Sequence, residues 1–184
     1  FYYRQDFGRL NADKDSYGVP RSKSIQTTPA HQLALAAVYY SPLQYMYWYD
    51  KPSDSQDEPE LKFFDDVYTT WDDTKVLQGE VGEFITIARR KGEEWFIGSI
   101  TNNEKRVLSV SLDFLPEGKN YIAEIYTDGD KSVKTRTKVR VSTYRVSNKT
   151  KLNFCLKASG GGAVRLVPDD GNIKSVKNYK QQRL

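Results

Sequence analysis

The reactive inventory of this chain is one histidine, one cysteine and many carboxylates, and their spacing narrows the chemistry. His31 falls in the first turn of a helix, where the helix dipole disfavours an imidazolium. A Ser–His–Asp triad could be built on it, since serines are plentiful. No G-x-S-x-G elbow fixes a nucleophile, however, and a structural role is the simpler reading. Cys155 is alone, which excludes an intrachain disulfide; with a single histidine it also argues against a zinc site. The carboxylates come as sequence neighbours, Asp65-Asp66, Asp72-Asp73 and Glu93-Glu94, with Asp50, Asp54, Asp57 and Glu58 besides. Paired-carboxyl catalysis needs two groups facing one another across a cleft, which adjacency in sequence does not supply. Asp50 is singled out because it follows directly on a segment read as a buried parallel strand, and sites gather at the C-terminal ends of such strands. Capping its loop or pairing with Lys51 is its plainer role. Asp128-Gly129-Asp130 lacks the rest of an EF-hand loop and reads as a hairpin turn.

The elements that would position these groups change character once along the chain. Residues 1–28 are polar, with Gly8, Gly18 and Pro20 as breakers, and read as a long loop. Thr28-Pro29 starts a helix, a hydroxyl at the N-cap and proline at the first position. Its apolar side carries Leu33, Ala36, Ala37 and Tyr40, and Pro42 ends it. Residues 43–49 form one apolar, aromatic run that predicts a strand buried on both faces, closed by Asp50, Lys51 and Pro52. Tyr39, Tyr40 and that run could offer stacking platforms, but buried packing is the stronger reading. A short helix follows Asp57-Glu58-Pro59, with Leu61, Phe63, Phe64 and Val67 as its apolar positions. Helix, strand, helix is parallel α/β grammar, and one strand implies the end of a larger domain.

From residue 73 the period is two. Phe84, Thr86 and Ala88 alternate with Ile85, Ile87 and Arg89; the same pattern recurs at Leu108, Val110 and Leu112, at Tyr121, Ala123 and Ile125, at Val139 and Val141, and at Leu152, Phe154 and Leu156. Turn residues fall between them at Lys91-Gly92, Asn102-Asn103, Pro116-Glu117-Gly118, Asp128-Gly129-Asp130 and Gly160-Gly161-Gly162. About eight strands without helices between them predict an antiparallel sandwich.

Composition agrees with a well-buried fold: 38% of the 184 residues are hydrophobic and 13% aromatic. Lysine and arginine exceed aspartate and glutamate by 28 to 24, too small an excess to argue for nucleic acid. Part of it lies in Lys174, Lys177, Lys180 and Arg183, read as a loosely held polar tail. No apolar run is long enough to cross a membrane. The chain opens on Phe1, so it reads as a processed, truncated or excised piece of a longer protein.

The wording of several segments resembles the C-terminal third of glycoside hydrolase family 97, α-glucosidases and α-galactosidases of Bacteroides-type bacteria. The similar strings are Ala30-His31-Gln32-Leu33-Ala34-Leu35, Tyr40-Ser41-Pro42-Leu43-Gln44, Tyr47-Trp48-Tyr49-Asp50-Lys51-Pro52 and Thr69-Thr70-Trp71-Asp72-Asp73-Thr74-Lys75-Val76-Leu77. Others are Gly79-Glu80-Val81-Gly82, Ile87-Ala88-Arg89-Arg90-Lys91-Gly92, Trp95-Phe96-Ile97-Gly98, Leu112-Asp113-Phe114-Leu115 and Ala163-Val164-Arg165-Leu166. They span most of residues 28–168, and the first 27 residues match poorly.

The resemblance implies the end of a (β/α)8 barrel followed by an all-β antiparallel sandwich. Residues 1–72 would belong to the catalytic barrel, 73–168 to the sandwich, and 169–184 to a polar basic tail. It further implies hydrolysis of α-linked glucosides or galactosides in the bacterial periplasm or outside the cell. An oligosaccharide would be the substrate, and a homo-oligomer could form through the sandwich. A calcium ion would be held by glutamates of the parent enzyme. The catalytic carboxylates and metal ligands are expected upstream, with none in this chain, which alone should be inactive. Asp50 and Lys51 are left as substrate-adjacent candidates. The other reading is a non-catalytic sandwich module for oligomerisation or carbohydrate binding.

Overall fold

Period-two patterning resolves into eight strands in a computed structural model that describes residues 27–44, 58–172 and 175–180. They are β1 (Asp73–Glu80), β2 (Phe84–Lys91), β3 (Glu94–Thr101), β4 (Arg106–Ser111), β5 (Asn120–Asp128), β6 (Val139–Ser147), β7 (Lys151–Leu156) and β8 (Gly161–Pro168). A six-stranded sheet runs in the order β1-β2-β3-β8-β5-β6, and a two-stranded sheet pairs β4 with β7. Every pairing between strands is antiparallel, as the alternation predicts. Gly82 (φ 80°) and Gly92 (φ 58°) turn the first two hairpins in the left-handed region that glycine enters without steric cost.

Alternation sends one set of side chains between the sheets. Ala88, Trp95, Ile97, Tyr121, Ala123, Ile125, Val164 and Leu166 meet Leu108, Val110, Leu152, Phe154 and Leu156 of the smaller sheet and Leu112 just after β4. The opposite face of the large sheet is apolar too, and it needs its own cover. Helix α1 (Pro29–Val38) provides it, with α2 (Lys62–Asp66) behind a 3-10 turn at Pro59–Leu61. Ala30, Leu33, Ala36, Ala37 and Phe63 pack there against Phe96, Tyr126, Val139 and Ala163.

This packing corrects the expected barrel end. In the described part of residues 1–72, the two helices lie on the sandwich's own antiparallel sheet and not on a parallel one. The N-cap and proline start of α1 are as read, Thr28 Oγ1 accepting from His31 N at 3.2 Å. The helix stops at Val38, Tyr39 already being extended (ψ 134°). Residues 43–49 do not begin as a strand. Leu43 sits in an exposed bend held by the Ser41 hydroxyl, and Gln44 Nε2 reaches back to the Ala36 and Tyr39 carbonyls at 3.2 and 3.3 Å. Residues 45–49, and the first 26, lie outside the described residues.

Two turn assignments also change. Asp128-Gly129-Asp130 is no tight hairpin: residues 129–138 form a longer loop, closed by Gly129 N donating to Lys138 O at 2.8 Å. Of the three glycines read as a turn, Gly161 and Gly162 are the first residues of β8. The tail is docked at 177–179. Arg145 N donates to Lys177 O and Tyr179 N to Arg145 O, both at 2.9 Å, which covers the free edge of β6.

Candidate functional site

The best-defined site among the described residues is the place where α1 meets the large sheet. Close approach there depends on absent side chains. A Cβ on Gly98 would stand 2.5 Å from the Ala34 carbonyl oxygen, and one on Gly161 would stand 2.5 Å from the His31 Cα. Glycine at these two strand positions lets the helix backbone sit almost on the sheet.

Arg89 of β2 closes the C-terminal end of α1. Its Nε donates to Ala37 O at 2.6 Å, one terminal nitrogen to Val38 O at 2.8 Å and the other to Thr74 Oγ1 at 2.8 Å. The side chain is buried, and its guanidinium lies 5.2 Å from the Tyr40 ring centroid. A cation at a helix C-terminus satisfies carbonyls that have no partner within the helix and complements the dipole. Burial lowers its pKa from the ordinary guanidinium value, which leaves the group charged. In the sequence Arg89 is one position of the β2 alternation, and an arginine directly after the apolar run Phe84 to Ala88 is the signal that could mark it.

His31 secures the other end. Its Nδ1 lies 3.1 Å from the Gly160 carbonyl oxygen. A carbonyl can only accept, so Nδ1 carries the proton of a neutral ring. Burial holds the imidazole below its ordinary pKa, against smaller opposing effects of the Gly160 bond, Asp128 and Ser159. The fold does bring a serine and an aspartate near this histidine, but not as a triad. Ser159 Oγ donates to Asn103 Oδ1 at 2.9 Å, and Asp128 Oδ2 accepts the backbone N–H groups of Lys157 and Gly161 at 2.9 and 3.2 Å. The histidine is a fastener, as the simpler reading held.

Several carboxylates are tied to cations, and one is fully buried. Asp66 and Glu94, from two different sequence pairs, converge with Glu124 on the Arg165 guanidinium at 2.6, 2.8 and 3.6 Å. Lys62 bridges Asp66 and Glu124 at 2.5 and 3.0 Å, completing a charge network that pins α2 to the sheet. Asp72 accepts from Gly92 N and Lys91, and Glu93 pairs with Lys119. Glu60 is fully buried: Thr137 donates to its Oε1, while Oε2 has no partner. Desolvation raises its pKa above the ordinary carboxylate value. Among the described residues there is no group of three or more His, Cys, Asp or Glu side chains placed to hold a metal. Asp50 and Lys51 lie outside the described residues, as do Asp54 and Asp57.

Among the described residues, two groupings of exposed apolar side chains stand out. At the end of α1, Tyr39, Tyr40 and Leu43 are 61%, 68% and 68% exposed. At the β1–β2 hairpin, Val76 and Val81 stand exposed beside a hollow of about 560 Å³ floored by Phe84, Ile85 and Ile100. Exposed apolar groupings of this kind mark interaction surfaces. No described helix is long and apolar enough to cross a membrane.

Comparison with known proteins gives a consistent picture. Residues 70–167 match the family model described as "Glycosyl-hydrolase 97 C-terminal, oligomerisation". A retaining alpha-galactosidase of Bacteroides thetaiotaomicron is 34% identical over 158 residues, covering 85% of this chain and 23% of that protein. A glycoside hydrolase family 97 enzyme of Pseudoalteromonas sp. strain K8, solved in complex with acarbose, superposes with a TM-score of 0.73 at 34% identity. That match covers 90% of this chain and 26% of the enzyme. A beta-arabinopyranosidase structure at 22% identity shares the fold, with a TM-score of 0.64 over 88% of this chain and 25% of its own. The chain thus spans about a quarter of the length of the proteins it matches.

Proposed function

The chain belongs to the glycosyl hydrolase 97 C-terminal family, and from that premise we propose that it is the closing part of a glycosidase acting on α-linked glucosides or galactosides. In this reading a (β/α)8 barrel stands upstream and performs the chemistry, with one carboxyl kept protonated as general acid and a second kept charged. Calcium is assigned to that barrel, and periplasmic or extracellular bacterial localisation follows from the same reading. Asp50 and Lys51 are assigned to the substrate side of the junction.

The observation that carries the reading is the seat of α1. The helix lies in the part of the chain that precedes the matched sandwich, and Gly98, Gly161, Arg89 and His31 bind it tightly to the sandwich. A sandwich fastened in this way to the segment before it is built as a buttress. The exposed Tyr39, Tyr40 and Leu43 are then where the barrel rests. The test is glycosidase assay of the longer gene product on α-glucoside and α-galactoside substrates, with and without a calcium chelator. Turnover of either is expected; no turnover of both refutes the reading, and Asp50→Asn lowering kcat/KM supports the assigned place of that residue.

A second reading is favoured by the family's own description as an oligomerisation domain. The bare apolar hollow around Val76 and Val81 is proposed to meet a second copy of the chain. Light scattering of the 184-residue chain and of Val81→Asp tests it, and a wild-type chain that stays monomeric counts against it.

A further inference from the structure

The smaller sheet leaves part of the large sheet's inner face unroofed. On that face β5 and β6 place Tyr121 opposite Val146, Ala123 opposite Tyr144, Ile125 opposite Ser142 and Thr127 opposite Arg140. Along this ladder the pairs change from core to polar as they emerge beside β7. A cleft of about 730 Å³ opens there, bounded by the Ile125–Arg140 strip, Phe154 and the docked Tyr179. The Tyr144 and Tyr179 rings meet edge to face, centroids 5.4 Å apart at 87°.

Three half-buried hydroxyls in this cleft, those of Thr127, Ser142 and Tyr144, make no hydrogen bond among the described residues. The two arginines are already compensated. Arg140 pairs with Asp130 at 3.0 Å and donates to Ser132 Oγ at 3.0 Å, while Arg145 pairs with Asp169. With the arginines compensated, the cations that remain in the lining are Lys177 and Lys180, both exposed to solvent, where screening weakens their pull on an anion. The free hydroxyls penalise a purely apolar ligand, which would leave them unpaired. Aromatic platforms beside free hydroxyls suit a neutral, polyhydroxylated ligand, which presents C–H faces and hydroxyls together. The volume is within the usual range for small-ligand sites.

We propose that this cleft is a binding site for a neutral oligosaccharide. The Tyr144 and Tyr179 rings would take the apolar sugar faces, and Thr127, Ser142 and Arg140 the sugar hydroxyls. The choice of a glycan rests on the glycosidase reading above.

The test is titration of the 184-residue chain with maltotriose and, separately, inorganic phosphate, followed by amide NMR shifts. Maltotriose should move resonances at Thr127, Ser142, Phe154 and Tyr179, with Kd on the order of 1 mM. Ser142→Val and Tyr179→Ala should each weaken binding about tenfold, a 1.4 kcal/mol effect, with the spectrum elsewhere unchanged as the check on folding. Shifts absent at about ten times that concentration, shifts clustered elsewhere, affinity untouched by both variants, or a response to phosphate in place of sugar would each overturn the proposal. Binding is read on the chain itself, so a failed glycosidase assay of the longer protein leaves this measurement standing.

Discussion

Replacing Arg89 by methionine is the sharpest probe of the α1 seat. The substitution keeps the apolar stem and removes the fork that serves Ala37 O, Val38 O and Thr74 Oγ1. Hydrogen bonds to a charged group are each worth about 1.5–3 kcal/mol, and a cation at a helix C-terminus adds up to ~1. Against that gross loss of about 5–10 kcal/mol, the variant no longer buries a guanidinium without a carboxylate partner, and recovering its desolvation offsets about three-fifths of the loss. A net cost of about 2–4 kcal/mol follows, because two buried carbonyls at the helix end lose their donor. For a chain of this length that lowers Tm by roughly 5–15 °C. Arg89→Lys should fall between, since an ammonium keeps the charge but cannot span both carbonyls. Urea and thermal unfolding of the 184-residue chain measure the cost. Hydrogen exchange should show α1 amides losing protection before those of β3 and β8. If Arg89→Met unfolds within about 0.5 kcal/mol of wild type, the guanidinium does not hold the helix and the argument fails.

Other outcomes follow from the same packing. Glu60 has its folded pKa raised, so its contribution is fully present below the ordinary carboxylate range and is lost as pH rises through the folded value. Glu60→Gln should therefore flatten that dependence and gain about 1 kcal/mol near pH 8 relative to pH 5; urea midpoints at the two pH values with an unchanged slope would exclude it. His31 has its folded pKa lowered, so the stability it supplies is present above the ordinary imidazole value and lost as pH falls through the folded one. As the sole histidine it gives an isolated imidazole NMR signal, and a midpoint at or above the ordinary value contradicts the buried, carbonyl-bound ring. Gly161→Ala should cost about 1–3 kcal/mol or more, because the clash is with helix backbone and not a movable side chain; a variant as stable as wild type by calorimetry would mean that α1 does not sit this close.

The candidate surfaces were less legible in the sequence than the strands. Leu108, Val110 and Leu112 announced their buried face because period two is a local property that a one-residue slip would invert. Asp66 and Glu94 gave no sign of meeting at Arg165, since their convergence depends on how α2 crosses β3 and β8. Thr127, Ser142 and Tyr179 share one cleft only because β5, β6 and the tail are brought together from separate parts of the chain.

Sequence alone settled a series of about eight antiparallel strands, the capped start of α1 at Thr28 and the family resemblance, because caps, alternation and wording are written over a few consecutive residues. Tertiary structure alone decided what α1 lies against. The pattern of Leu33, Ala36 and Ala37 says that one side must be buried but carries no address for its partner. That address was written elsewhere, in Gly98 and Gly161, which read locally as interruptions and in space make room for a helix.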